Sequence, residues 1–132
     1  MVEFAAVLPV FALLIIGGMQ LTLMLENYTV LSDAARAGAR QFSVSRISTT
    51  PYTDTITQIT TTASTLNPTN ISTTLTVNGV VCTNNLSCQS ALAPARGLPL
   101  KVSLSYPCLK IVYLIKVTTP CSMSAAISER VE

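Results

Sequence analysis

A long uncharged run near the N-terminus is the feature that most constrains this chain. Residues 4–25 read FAAVLPVFALLIIGGMQLTLML, a run without any charge in which Gln20 and Thr22 are the only clearly polar side chains. At about 1.5 Å per residue, a helix of this length crosses the roughly 30 Å hydrocarbon core of a membrane. The run is too long and too evenly apolar for an ordinary surface helix, so it predicts a helix that can span a membrane.

The helical pattern continues beyond the apolar run and becomes amphipathic. Apolar or small residues recur there with 4-3-4-3-4 spacing at Met24, Tyr28, Leu31, Ala35, Gly38 and Phe42. Outside this stripe lie the charged residues Glu26, Asp33, Arg36 and Arg40. Asp33 and Arg36 are three residues apart, where two side chains can pair on a helix. We therefore predict one continuous helix over residues 1–47, apolar all round at first and amphipathic later.

The remaining residues, 48–132, are predicted to form a small α+β domain that begins with a second helix. Pro51 suits the first turn of a helix, with Thr50 as its cap. Apolar residues then follow a 3-4-3 spacing from Ile56 to Leu66, before Asn67-Pro68 stops the run. The pattern predicts a helix over Tyr52–Leu66, although its many threonines oppose helix formation.

From residue 70 the pattern changes to a period of two, which indicates half-buried strands. Three strands are predicted, at Ile71–Val77, Lys101–Tyr106 and Cys121–Ser128. Asn78-Gly79 is a turn signal that can fold Val80–Cys82 back as a short hairpin arm. One face of this small antiparallel sheet must be covered, and the second helix and the amphipathic half of the first are the available apolar surfaces.

Four cysteines, with no histidine and no CxxC pair, favour disulfides in an oxidising compartment. A structural zinc site built from the four scattered cysteines is the alternative. Of the three possible pairings we predict the two local ones, Cys82–Cys88 and Cys108–Cys121, because each closes where strands end and turns begin. The apolar segment Leu109–Pro120 is too short to be a second membrane span, so it is either core filling or a contact surface.

Composition argues against several classes of function. The net charge is only +2, and charged residues make up 11% of the chain against an average of about a quarter. Lys and Arg form no cluster of the kind that nucleic-acid binding requires. With no histidine, six scattered carboxylates and no nucleophile-elbow or P-loop spacing, we predict no catalytic residues, no cofactor and no metal, and hence no enzyme.

The distribution of arginines conflicts with the cysteines. Arg36, Arg40 and Arg46 follow the apolar run and nothing basic precedes it, so the positive-inside rule would place the cysteines in the cytoplasm. Disulfides require the opposite orientation. A basic leader removed before Met1 would reconcile the two, because it would hold the N-terminus inside during insertion.

The two ends of the chain resemble a known family. VEFAAVLPVFALLIIGGMQL, followed by LSDAARAGARQFSV, is similar to the TadE-like proteins, which are pilin-like subunits of bacterial tight-adherence and related type IV pilus systems. That family shares a "VEFALVLP" opening, an apolar run and an "AAREGAR" helix end. The far end, Lys101 to Tyr106 and then SMSAAISERVE, also looks like the family's closing strands. The likeness covers residues 1–46 and the C-terminal strands, whereas the middle with its cysteines is not recognisably shared.

The resemblance implies a structural subunit with an extracytoplasmic domain. Such a subunit is inserted in the bacterial inner membrane, processed by a prepilin peptidase and drawn by the pilus assembly machinery into a filament of its own copies or of other pilins. Glu3 matches the family's acid near the processed end, which can pair with a neighbouring subunit's α-amino group. The alternative is an interfacial acid just outside a membrane span. Only two residues precede Glu3, so either the sequence lacks residues at its start or the processing site differs.

Assembly through the first helix gives a set of candidate residues. They are Glu3, Phe4, Pro9, Gly17, Gly18, Met24, Tyr28, Leu31, Ala35 and Phe42. Because Pro removes a helical hydrogen bond and Gly weakens a helix, we predict a kink or a locally melted turn at Pro9 or at Gly17-Gly18 in the filament. The rival functions are a single-span anchored envelope protein that binds a partner, and a minor pseudopilin that initiates assembly.

Overall fold

The computed structural model describes residues 2–108 and 121–132, with the backbone alone for residues 2–6. Its elements, in chain order, are α1 (Val2–Val44), a 3₁₀ turn (Ser45–Ile47), α2 (Pro51–Thr62), a second 3₁₀ turn (Pro68–Asn70), β1 (Ser72–Val77), β2 (Val80–Cys82), α3 (Asn85–Leu92), β3 (Pro99–Pro107) and β4 (Ser122–Arg130). The predicted α+β fold with a long N-terminal helix is confirmed. The predicted role of Leu109–Pro120 lies outside the described residues.

The continuous first helix is confirmed, and it ends in a single 3₁₀ turn. Its 43 residues make a rod of about 65 Å. The helix continues through Pro9 without a break. The hydroxyls of Thr22 and Thr29 donate hydrogen bonds to the carbonyls four residues earlier, at 3.1 and 2.8 Å. These polar groups are therefore satisfied within the helix, which lowers the cost of placing them in an apolar environment.

The four strands form one antiparallel sheet in the order β2-β1-β3-β4. Asn78 and Gly79 have φ of 48° and 83°, the left-handed pair that a tight two-residue hairpin turn between β1 and β2 requires. Leu75 pairs with Cys82 on one side and Val102 on the other, and Val102 pairs with Ile127. Alternate residues point to one face and are buried there: Leu75, Val77, Leu100, Val102, Leu104, Met123 and Ala125.

Two helices cover this face, and one of them differs from the prediction. The second half of α1 packs on β3 and β4, as expected, while α3 packs on β1 and β2. The expectation that α2 covers the sheet was wrong: its principal contacts are with α1 and α3. At the end of the sheet, the N–H of Glu132 donates to the carbonyl of Ser43 at 3.1 Å, which places the end of β4 beside the end of α1.

The second helix ends four residues earlier than predicted, at Thr62. The backbone leaves the helical conformation at Ala63, whose ψ is 35°, and Leu66 is still buried by the turn that follows. The consecutive β-branched residues before this point favour early termination. Within α2, the hydroxyl of the buried Thr55 donates to the carbonyl of Pro51 at 2.7 Å, so this polar side chain is satisfied in the core.

The predicted N-cap position of α2 is correct, but the capping hydrogen bond comes from another element. Thr50 occupies the N-cap position without a capping hydrogen bond, and its hydroxyl donates to Asp54 instead. The N–H of Thr53 in the first turn donates to Oδ1 of Asn85 at 3.0 Å, and Asn85 Nδ2 donates to Thr53 Oγ1 at 2.9 Å. A residue 32 positions away therefore satisfies the exposed end of the helix.

Helix α3 was not predicted, and it carries the residue that caps α2. Its own start is a capping box: the N–H of Ser87 donates to Oδ1 of Asn84 at 2.8 Å, and the N–H of Asn84 donates to Oγ of Ser87 at 3.1 Å.

Both predicted disulfides are confirmed. Cys82–Cys88 ties β2 to α3, and Cys108–Cys121 joins the ends of β3 and β4. Since all four cysteines are paired, none is left for the alternative zinc site.

Candidate functional site

Helix α1 consists of two parts with opposite environments. We call residues 7–28 the exposed segment and residues 31–47 the docked segment. The core-facing side chains of the docked segment are fully buried by the chain's own sheet and by α2: Leu31, Ala34, Ala35, Ala39 and Phe42. The side chains of the exposed segment have no such cover. The change occurs within about one helical turn, between Tyr28 and Leu31.

Besides Tyr28, twelve large apolar side chains of the exposed segment are between 38% and 70% exposed. They are Val7, Leu8, Val10, Phe11, Leu13, Leu14, Ile15, Ile16, Met19, Leu21, Met24 and Leu25. Monomeric soluble proteins rarely expose apolar patches of this size, and larger ones mark membrane or protein contact sites. Within the described residues, one helical stretch is long and apolar enough to cross a membrane, Val7–Ile47, and its most apolar window is not buried.

The structure divides the predicted assembly residues among three environments. Pro9, Gly17, Gly18, Met24 and Tyr28 lie in the exposed segment, where lipid or another protein can reach them. Leu31, Ala35 and Phe42 lie in the domain's own core, so they hold α1 on the sheet and can influence neighbours only through the position of the helix. The side chains of Glu3 and Phe4 lie outside the described residues. For all ten residues, a role in assembly stays a prediction.

Gly38 is important for packing, although it was not among the candidate residues. A Cβ at this position would lie 2.5 Å from Cγ1 and 2.8 Å from Cδ1 of Ile59, so α1 and α2 approach closely here because Gly38 has no side chain. The sequence does contain a signal for this contact. Ala34 and Gly38, like Ala35 and Ala39, are small residues four positions apart, a spacing that permits close approach of helices.

Charged side chains of α1 lie on the face opposite the core. The predicted Asp33–Arg36 pair is confirmed, with 3.5 Å between Arg36 Nη1 and Asp33 Oδ1 and with both side chains more than half exposed. Glu26 and Arg40 are exposed on the same face. An exposed pair of this kind contributes little to stability, typically about 0–1 kcal/mol. These charges are therefore more relevant to what contacts the helix than to folding.

A second apolar surface lies beside the hairpin. Val80 and Val81 are exposed there and line a shallow open groove between β2 and α3. In the ranges 2–108 and 121–132, no group of three or more His, Cys, Asp or Glu side chains is placed to hold a metal ion. What the described geometry offers is thus apolar and charged contact surface, with the exposed segment of α1 by far the largest part.

Helix α1 is also the part of the chain that is similar to known proteins. The family model of TadE-like proteins matches residues 1–40, which include the exposed segment and the first ten residues of the docked segment. The match confirms the resemblance over this range, and the apolar helix fits a pilin-like subunit. The suggested likeness of the C-terminal strands lies outside it. No curated protein and no solved structure matches the chain.

Proposed function

We propose that this chain is a structural pilin-like subunit that assembles through α1 into a bacterial type IV-type, tight-adherence filament. The observation that carries the proposal is the exposed segment, a long apolar rod continuous with a helix that is docked on its own domain. A subunit of this shape rests in the inner membrane with its exposed segment in lipid. It then exchanges lipid for the helices of other subunits.

The twelve exposed apolar side chains are stable only where water is excluded. Fully burying one such side chain is worth about 1.5–3 kcal/mol relative to water, so the segment is not stable in water. Lipid and a helix bundle both remove it from water, and the step between them depends on close packing rather than on hydrophobicity. A Cβ added to Gly17 or Gly18 would have no atom within 4 Å, which leaves room for the close approach of a neighbouring helix.

The proposed location follows from the same features. Disulfides Cys82–Cys88 and Cys108–Cys121 are expected to form on the oxidising side of the membrane, so the domain is extracytoplasmic. A leader cleaved by a prepilin peptidase would supply the basic residues that the N-terminus lacks. The similarity to a structural family favours a non-enzymatic role. The partners proposed are further copies or other pilins, together with the assembly machinery.

The test is to shear filaments from producing cells and to quantify this chain by mass spectrometry in the filament and membrane fractions. We expect the chain in the sheared filaments in amounts comparable to a structural subunit. A few copies per filament would instead indicate a minor pseudopilin that initiates assembly. Retention solely in the membrane fraction would contradict the proposal and favour the anchored envelope protein.

Glu3 provides a second, finer test. A carboxylate inside an apolar bundle is unfavourable by several kcal/mol unless a cation pairs with it, and a processed α-amino group is the proposed partner. We expect Glu3→Gln to insert in the membrane but to enter filaments poorly. Glu129→Gln, on an exposed position of β4, is the matched control. Normal incorporation of Glu3→Gln would reduce Glu3 to an interfacial residue.

A further inference from the structure

The face of α1 that points away from the sheet changes its chemistry in order along the helix. It begins with apolar side chains, continues with the acidic pair Glu26 and Asp33, and ends with the basic pair Arg36 and Arg40. Glu26, Asp33 and Arg40 are spaced seven residues apart, which is nearly two full turns, and Arg36 lies within about 80° of them around the axis. We call these four residues the charged face. All four are exposed.

This order matters if a second copy of the helix lies alongside. Two parallel copies in the same axial position would bring acidic residues against acidic ones and basic against basic. Two copies offset by roughly 15–21 Å, or about ten to fourteen residues, bring Glu26 of one beside Arg36 or Arg40 of the other. The charged face is therefore complementary to itself only when neighbours are staggered.

We propose that the charged face sets the axial offset between neighbouring copies of this chain, a role that rests on the proposed function in a filament. The apolar surface of the exposed segment is nearly uniform, so it holds helices together but distinguishes poorly between offsets that differ by one turn. Charges supply the missing discrimination, because they penalise the wrong offset as well as favouring the right one.

The charges are available for this role. Within the described part of the chain, the single ion pair is Asp33–Arg36, which is long and open to solvent. Glu26 and Arg40 have no ion-pair partner among these residues. A neighbouring helix would also exclude water from the charged face, which strengthens the attraction between opposite charges. The occupant we infer is a second copy, because the complementary pattern is present on this chain itself.

The test uses two variants of the full chain in producing cells. The all-basic variant carries Glu26→Lys and Asp33→Lys, and the all-acidic variant carries Arg36→Glu and Arg40→Glu. Each variant has a charged face of one sign, which repels its own copies at every offset, whereas the two variants together attract at any offset. We expect each alone to enter filaments at least about tenfold less than wild type at equal membrane levels, and co-production to restore incorporation to within about twofold.

The matched controls reverse the same number of charges at exposed positions of β3 and β4 and at Glu132. They are Glu129→Lys with Glu132→Lys, and Lys101→Glu with Arg130→Glu. We expect both controls to assemble like wild type. If wild-type chain is found in filaments and the two variants enter equally well, or if co-production restores nothing, this inference is overturned while the proposed function stands. Absence of wild-type chain from filaments would overturn the proposed function itself.

A photo-cross-linking amino acid at position 26 gives a direct readout of the offset. In sheared filaments we expect cross-links to residues near 36–40 of a second copy, identified by mass spectrometry. Cross-links to position 26 of another copy, or to a different protein, would each contradict a staggered contact between copies.

Discussion

The two segments of α1 belong to one helix, yet different residue properties decide their environments. The exposed segment is built from large aliphatic side chains, and its glycines have nothing close to them. The docked segment is built from small residues, and Gly38 lies so close to Ile59 that a methyl group would not fit. Apolar content alone would predict the same environment for both segments. Residue size distinguishes a helix that packs on its own domain from one that is left for lipid or for neighbours.

The largest difference between the segments is expected from truncating a phenylalanine in each. Phe42 is fully buried, so Phe42→Ala should lower the free energy of unfolding of the domain by about 3–5 kcal/mol. Phe11 is 62% exposed, so Phe11→Ala should leave it almost unchanged. Urea unfolding of the full chain in a mild detergent, followed by tyrosine fluorescence, measures both. Equal losses for the two variants would remove the distinction between the segments.

Removing a disulfide should destabilise the domain and leave the exposed segment helical. Replacing Cys82 and Cys88 together by serine is expected to lower the stability of the domain by about 2–3 kcal/mol, the value for a short closed loop. The helix content of the exposed segment should persist, since none of its contacts involves this bridge. Far-UV circular dichroism in detergent, compared with tyrosine fluorescence, reports the two parts. A simultaneous loss of both signals would contradict their independence.

Glycine to alanine changes should also affect the two segments differently. Gly38→Ala forces a methyl group against Ile59 and should cost about 1–3 kcal/mol in the same unfolding assay. Gly17→Ala meets nothing in the isolated chain and should be neutral or stabilise the helix by about 0.5–1 kcal/mol. Adding Ile59→Ala to Gly38→Ala should cost less than the sum of the single changes, because the clash is removed. Additive costs would show that the two residues do not interact.

The smallest effect is expected at the contact in which Asn85 of α3 caps α2, the helix that packs on the docked segment. Asn85→Ala removes the cap of α2 and should lower stability by about 1 kcal/mol. Asn70→Ala, at an exposed turn, is the control and should stay within about 0.5 kcal/mol of wild type. No difference between the two variants would mean that the capping contact contributes nothing.

Features that depend on local sequence were predictable. The length of α1, the strands, the hairpin at Asn78-Gly79 and the two disulfides all follow from patterns between residues that are close together in the chain. Features that depend on distant contacts were not. Thr50 is a suitable cap by its residue type, but Asn85 takes that role once α3 folds against α2. Helix α3 itself is short and has little amphipathic pattern, and the Asn84 and Ser87 capping box was its one clear signal.

The same limit applies to the candidate site. The spacing that placed Met24 to Phe42 on one stripe was correct, but it could not say that the domain would cover this stripe from Leu31 onward. That boundary depends on how the sheet and α2 pack on α1, which is a tertiary property. The sequence also marked Gly38 only as one small residue in a stripe, since the close approach of Ile59 depends on where α2 lies.

The central claim is that other subunits cover the exposed segment while the docked segment stays on its own domain. Helical reconstruction of sheared filaments by electron cryomicroscopy tests it most directly. We predict a filament core formed by residues 7–28 of successive copies, staggered along the axis, with Leu31 to Phe42 still packed on the sheet of the same chain. Filaments that lack this chain, or that carry it with residues 7–28 outside the helical core, would contradict the account.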